Sequence, residues 1–187
     1  MSIDHAELEL FRDNVKRFLE NEIRPHYEQW EKDSWMPREI WNKLGENGLL
    51  CVDQPEQYGG VGVPFQYSMV ILNEMAKMGL ASLATGVSVH SDICAPYIEH
   101  LAQESVKSVW LPKLASGDAV AAIGMTEPGA GSDLAGIRTT AVRDGDFYVV
   151  NGSKTFISNG QHADVVIMAV KTDPAAGSKG VSLLLID

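Results

Sequence analysis

Apolar residues along the first part of the chain recur three and four positions apart. Leu8, Phe11, Val15 and Phe18 keep that spacing, with Ile23 five further on ahead of Pro25, the period of a helix with one buried face. Asp4 with Glu7 predicts a capping-box start to it. Pro37 reads as the first helical residue of "PREIWNKLGENG", which glycines stop. After the loop "DQPEQYGGVGVP", the run "QYSMVILNEMAKMG" predicts a helix ending at Gly79, and another follows from about Ala81 to Leu101. An amphipathic piece, "ESVKSVWLPKLASG", closes at Gly117. Four or five such helices can pack on shared apolar faces as a bundle.

Past Gly117 the period changes. "IRTTAVR", "DFYVV", "KTFIS", "ADVVIMAV" and "GVSLLLI" are short β-rich runs. Asp144-Gly145, Asn151-Gly152 and Asn159-Gly160 between them tolerate the positive φ of tight turns. No helix long enough for a parallel crossover separates these runs, so they predict an antiparallel meander. The fold class expected is α+β: an N-terminal all-α helical bundle over residues 1–118, then an incomplete antiparallel β-domain over 119–187. The apolar run directly before Asp187 reads as a sheet cut before completion.

Composition narrows the function. A net charge of −10 opposes a nucleic-acid partner, which requires a basic face. No apolar run reaches the length of a membrane span, and "MSIDHAELELFRDN" lacks the features of a secretory or transit peptide. A soluble cytoplasmic protein of bacterial type is the expectation. Cys51 and Cys94 form no CxxC and read as two buried thiols, and the histidines lack metal-ligand spacing.

The most distinctive stretch is "AAIGMTEPGAGSDLAG", residues 121–136. It fails as a dinucleotide fingerprint, because Leu134 stands where a third glycine belongs. It fails as a P-loop, because Ile137 and Arg138 follow Gly136 in place of Lys-Ser/Thr. The decoy "GVSVH" at 86–90 has His90 where a nucleophile elbow needs glycine. What remains is a sharp Pro128-Gly129 turn whose small neighbours allow close approach to backbone, with Thr126 and Ser132 able to bind a planar polar ligand. A tight connection after a strand is the plainer alternative.

"MTEPGAGSD" followed by "NGSKTFISNG" resembles the paired flavin signature of the acyl-CoA dehydrogenase family. The resemblance spans the whole chain, including "EQYGG" and "LPKLASGD", and its wording is most similar to the long-chain branch. It implies an N-terminal helical domain and the front part of a middle β-domain, without the family's C-terminal helical domain. It further implies FAD as cofactor and α,β-dehydrogenation of a fatty acyl-CoA to the trans-2-enoyl-CoA. Electron-transferring flavoprotein would be the electron acceptor, and the full-length protein a homotetramer.

By the same resemblance Ile123, Met125 and Thr126 match the strand end lining the flavin ring, with Thr126 hydrogen-bonded to the ring's polar edge. Gly131 and Ser132 match the turn at the FAD pyrophosphate, and Ser132 also a contact to the CoA portion. Phe156, Ile157 and Ser158 match the second flavin loop, where many relatives carry Trp at the position of Phe156 and Thr at that of Ser158. Core packing is an alternative for Met125, Phe156 and Ile157, and Glu127 reads as solvated or tied to local N–H groups rather than as a base. The family's catalytic Glu comes from the C-terminal domain, so no residue here is expected to be the base, and the chain alone is expected to bind FAD weakly without turnover. A non-catalytic binding module, or a related acyl-CoA oxidase or flavin monooxygenase, are the competing readings.

Overall fold

A computed structural model describes residues 5–187, so Asp4 of the expected capping box lies outside the described residues. The chain divides into two compact units, Met1–Val120 and Ala121–Asp187. In the first, α1 (His5–Phe18) runs through a π-turn at Leu19–Ile23 into α2 (Arg24–Asp33). Next come α3 (Glu39–Glu46), α4 (Gln66–Lys77) and α5 (Ala81–Ser88). A second π-turn, Val89–Cys94, leads into α6 (Ala95–Leu101), and α7 (Glu104–Ser116) completes the unit. Pro37 precedes α3, its carbonyl accepting from the Ile40 amide at 3.2 Å.

Pro25 does not end its helix. Proline removes one main-chain donor and crowds the preceding turn. The wider π-turn just ahead of Pro25 relieves that mismatch, and the same pairing occurs ahead of Pro96. Helix packing follows the apolar stripes: α1 on α4, α4 on α5, α3 on α7 and α6 on α7. Trp41, Leu19, Ile23, Leu44, Ile71, Met75, Leu111 and Leu114 are fully buried between them. His90 is buried too, its Nε2 3.0 Å from the Leu114 carbonyl and its ring 5.1 Å from that of Trp41. Gly117 ends α7 at φ 79°, and a Cβ there would stand 2.1 Å from the Trp41 carbonyl oxygen.

The second unit contains β1 (Ala121–Gly124), β2 (Thr140–Asp144), β3 (Phe147–Asn151), β4 (Val165–Lys171) and β5 (Val181–Ile186). Its core is small: Ala121, Ala122, Ala141, Val165, Ile167, Ala169 and Val170 from the strands, with Ile137 and Ala130 beside them. The α+β class is as expected, but the sheet is mixed rather than wholly antiparallel. β2–β3 and β4–β5 are antiparallel, whereas β1 pairs in parallel with β4, Ala121 opposite Val165 through Gly124 opposite Met168. The crossover needs no helix, because residues 125–164 make it with loops and the β2–β3 hairpin.

A second correction concerns "KTFIS", which is not a strand. Phe156 at φ 57° and Asn159 at φ 63° turn the chain out of the extended conformation. Gly145 at φ 60° does sit in the β2–β3 turn that Asp144-Gly145 predicts.

Candidate functional site

Two loops of the β unit carry the predicted residues apart from Ile123, which lies in β1. The first leaves β1 at Gly124 and makes a tight Glu-Pro-Gly-Ala turn. The Glu127 amide donates to the Ala130 carbonyl at 2.9 Å, and the Ala130 amide donates back at 3.1 Å. Pro128 and Gly129 sit exposed at its tip, as a turn built on preset φ requires. The chain then runs through exposed Gly131 and Ser132 into a short 3-10 turn at Leu134–Gly136.

Glu127 itself is buried. Its carboxylate accepts from the Arg138 amide at 2.6 Å, the Thr139 amide at 3.0 Å and the Lys154 ammonium at 2.9 Å. Burial alone would raise the Glu127 pKa. Donation from Thr139, Lys154 and the Arg138 amide outweighs burial and brings it down to about 2. The expectation of local N–H partners holds, and the expectation of solvation does not.

The second loop leaves β3 at Gly152, where a Cβ would stand 2.6 Å from the Thr139 Cα. Lys154 turns inward, its ammonium donating to the Met125 carbonyl at 3.0 Å as well as to Glu127. The next residue donates from the Thr155 amide to the Thr126 carbonyl at 3.0 Å. Three residues past Phe156, the Asn159 side chain donates to the Ala121 carbonyl at 3.1 Å. The two signature stretches are therefore tied together at consecutive residues.

Between these ties stands Phe156, left-handed at φ 57° and 93 % exposed. A non-glycine residue held there costs about 1–3 kcal/mol. Exposing the ring as well forgoes its burial.

The other predicted residues divide. Thr126 is half-buried beside the Thr155 tie, Gly131, Ser132 and Ser158 are exposed, and Ile123 and Ile157 are half-buried. Met125 packs on the Ala130, Ile137 and Ala169 cluster, which is its core-packing alternative. Glu127 and Lys154 are what sequence reasoning missed as a pair. The available signal was a lysine inside an otherwise uncharged second motif, with an acidic residue fixed in the first.

Among the described residues no cluster of His, Cys, Asp or Glu could hold a metal ion, and no helix is long and apolar enough to cross a membrane. The cysteines are buried, and burial pushes both thiols up to about 12.

Family comparison is specific. The family model for the acyl-CoA dehydrogenase N-terminal domain matches residues 5–118, and that for the middle domain matches residues 122–187. The chain belongs to the acyl-CoA dehydrogenase family. It is 40% identical over 184 residues to the mitochondrial long-chain specific acyl-CoA dehydrogenase of Sus scrofa, covering 97% of this chain and 42% of that protein. An acyl-CoA dehydrogenase structure from Geobacillus kaustophilus is 51% identical with a TM-score of 0.94, covering 99% of this chain and 48% of that one. A glutaryl-CoA dehydrogenase from Mycobacterium smegmatis in complex with FADH2 is 30% identical with a TM-score of 0.89, covering 98% of this chain and 46% of that one. The chain thus spans about half the length of the relatives it matches.

Proposed function

We propose that the chain forms one wall of an FAD site and part of an acyl-CoA surface. The reaction served is α,β-dehydrogenation of a fatty acyl-CoA thioester to the trans-2-enoyl-CoA. The observation that carries this reading is Phe156, held left-handed and exposed beside Thr126 by ties on both sides. A planar ring system laid against that face would bury the Phe156 ring, the kind of contact that aromatic pairs favour.

The residues present fit FAD. Gly129 and Gly131 meet nothing within 4 Å of a hypothetical Cβ, so the turn is open to a ligand. Among the described residues no backbone acceptor takes the Gly131 or Ser132 N–H, which suits a pyrophosphate. In this reading Thr126 and Ser158 hold polar edges of the ring, Ile123 and Ile157 exclude water, and Ser132 also meets the CoA portion. Bound FAD would supply the acceptor for the β-hydrogen as hydride.

The α-proton needs a base with access to substrate and a pKa near working pH. Glu127 is unsuited on both counts, being buried, engaged by three donors and brought down to about 2. We assign the base to no residue of 1–187. Electron-transferring flavoprotein as acceptor and a homotetrameric whole protein belong to the same proposal. Equilibrium titration with FAD tests it, with saturable binding weakened by Phe156→Ala as the supporting result. Absence of binding, or binding indifferent to Phe156, refutes it.

A further inference from the structure

The loops that would meet FAD are not held by the sheet. Residues 125–126 and 152–158 lie outside the strands, so their mutual position depends on a few ties. Three of those ties converge on Met125, Thr126 and Glu127, and two of the three come from the single ammonium of Lys154. The Lys154 and Glu127 side chains are only 7% and 6% exposed. The exposed Phe156 ring follows two residues after Lys154, and Thr126 is flanked by the two residues whose oxygens Lys154 contacts.

We propose that Lys154 and Glu127 are positioning residues: a buried clamp that fixes the Phe156 ring relative to the Thr126 hydroxyl before any ligand arrives. This rests on the reading of these loops as a flavin wall. Opposite charges in contact leave the pair nearly neutral, so its contribution is geometric rather than a charge offered to the ligand. An apolar pair of similar volume would serve bulk stability as well or better. It would not specify the spacing, because only the ammonium bonds a carbonyl of one residue and a carboxylate two residues later. Glu127 in turn is oriented by the Arg138 and Thr139 amides, which anchors the clamp to the start of β2.

The test is amide hydrogen exchange on the 187-residue chain without cofactor, read segment by segment. In Lys154→Met, exchange at Thr155, whose amide donates to the Thr126 carbonyl, should accelerate about a hundredfold, and by clearly more than β4 and β5 do. Lys154→Arg, which keeps the charge and the donors, should restore slow exchange. Since Lys154→Met leaves a buried carboxylate unpaired, the double variant Glu127→Gln with Lys154→Met is the companion that folds without either charge. It too should show the fast loop. A loop as slow as in the parent, or β4 and β5 accelerated by the same factor, overturns the clamp and leaves a general stabilising pair.

With FAD added, the double variant should shift the visible flavin absorption relative to the parent, and an identical spectrum also counts against the clamp. If the parent takes up no FAD, the flavin reading fails, while the exchange rates still decide whether the clamp exists.

Discussion

Lys154 reaches back across the sequence to Glu127, ammonium to carboxylate at 2.9 Å, with both side chains nearly sealed from solvent. That contact joins the two motifs that a reader of the sequence sees only as neighbours in the chain. It also makes the acid stability of the β unit a measurable property of the site.

The Glu127 carboxyl is depressed in the folded state, to about 2 from the ordinary 4.5. A group of that kind stabilises the fold fully above its unfolded pKa, and the contribution is lost as pH falls through the folded value. Urea midpoints measured between pH 5 and pH 2 should therefore fall in that window, and Glu127→Gln should flatten the fall. An unchanged slope in the variant would assign the acid loss to other carboxylates.

His90 acts in a different window. Desolvation holds it down to about 4 from 6.5, so the buried ring stays neutral while the unfolded chain takes up a proton. Stability should hold above about pH 6.5 and drop toward pH 4 by up to about 1.4 kcal/mol per pH unit. Denaturant unfolding followed through tryptophan fluorescence checks this, and a pH-independent midpoint from pH 7 to 4.5 would contradict it.

Glycine substitutions separate folding from ligand approach. Gly117→Ala places a Cβ on the Trp41 carbonyl at a positive φ, and should lower stability by about 2 kcal/mol or more. Gly131→Ala meets nothing within 4 Å. It should leave the melting temperature within a degree or two, about the scatter of a surface change, yet weaken FAD binding by blocking backbone approach.

Phe156 should behave in the opposite sense to a core residue. Phe156→Gly removes the left-handed penalty and the exposed ring, and should leave the fold equally stable or steadier by about 1 kcal/mol. Thermal unfolding measures that side, and FAD titration should show the loss. A clear drop in melting temperature would mean that the ring supports the fold instead.

The helices were legible because apolar spacing and terminal glycines report local geometry, and Gly79 and Gly117 do lie past helix ends at positive φ. Pro25 lies within the helical run because a π-turn can absorb what a proline removes, and nothing in the local sequence marks that widening. The mixed sheet was hidden for a different reason. β1 finds β4 through a forty-residue excursion, and turn chemistry says nothing about pairings at that range. "KTFIS" reads as a strand by residue type, yet its hydrogen bonds go to Met125, Thr126 and Glu127, so tertiary ties override β-propensity there. The motif wording singled out both loops as stretches of sequence. It did not reveal that Met125 faces the core or that Phe156 stands in solvent.

Direct titration of the 187-residue chain with FAD, following flavin fluorescence, tests the central claim most directly. The account predicts weak but saturable binding, diminished in Phe156→Ala and in Gly131→Ala while both variants melt like the parent. Fluorescence that never saturates, or one binding curve shared by all three proteins, would contradict it.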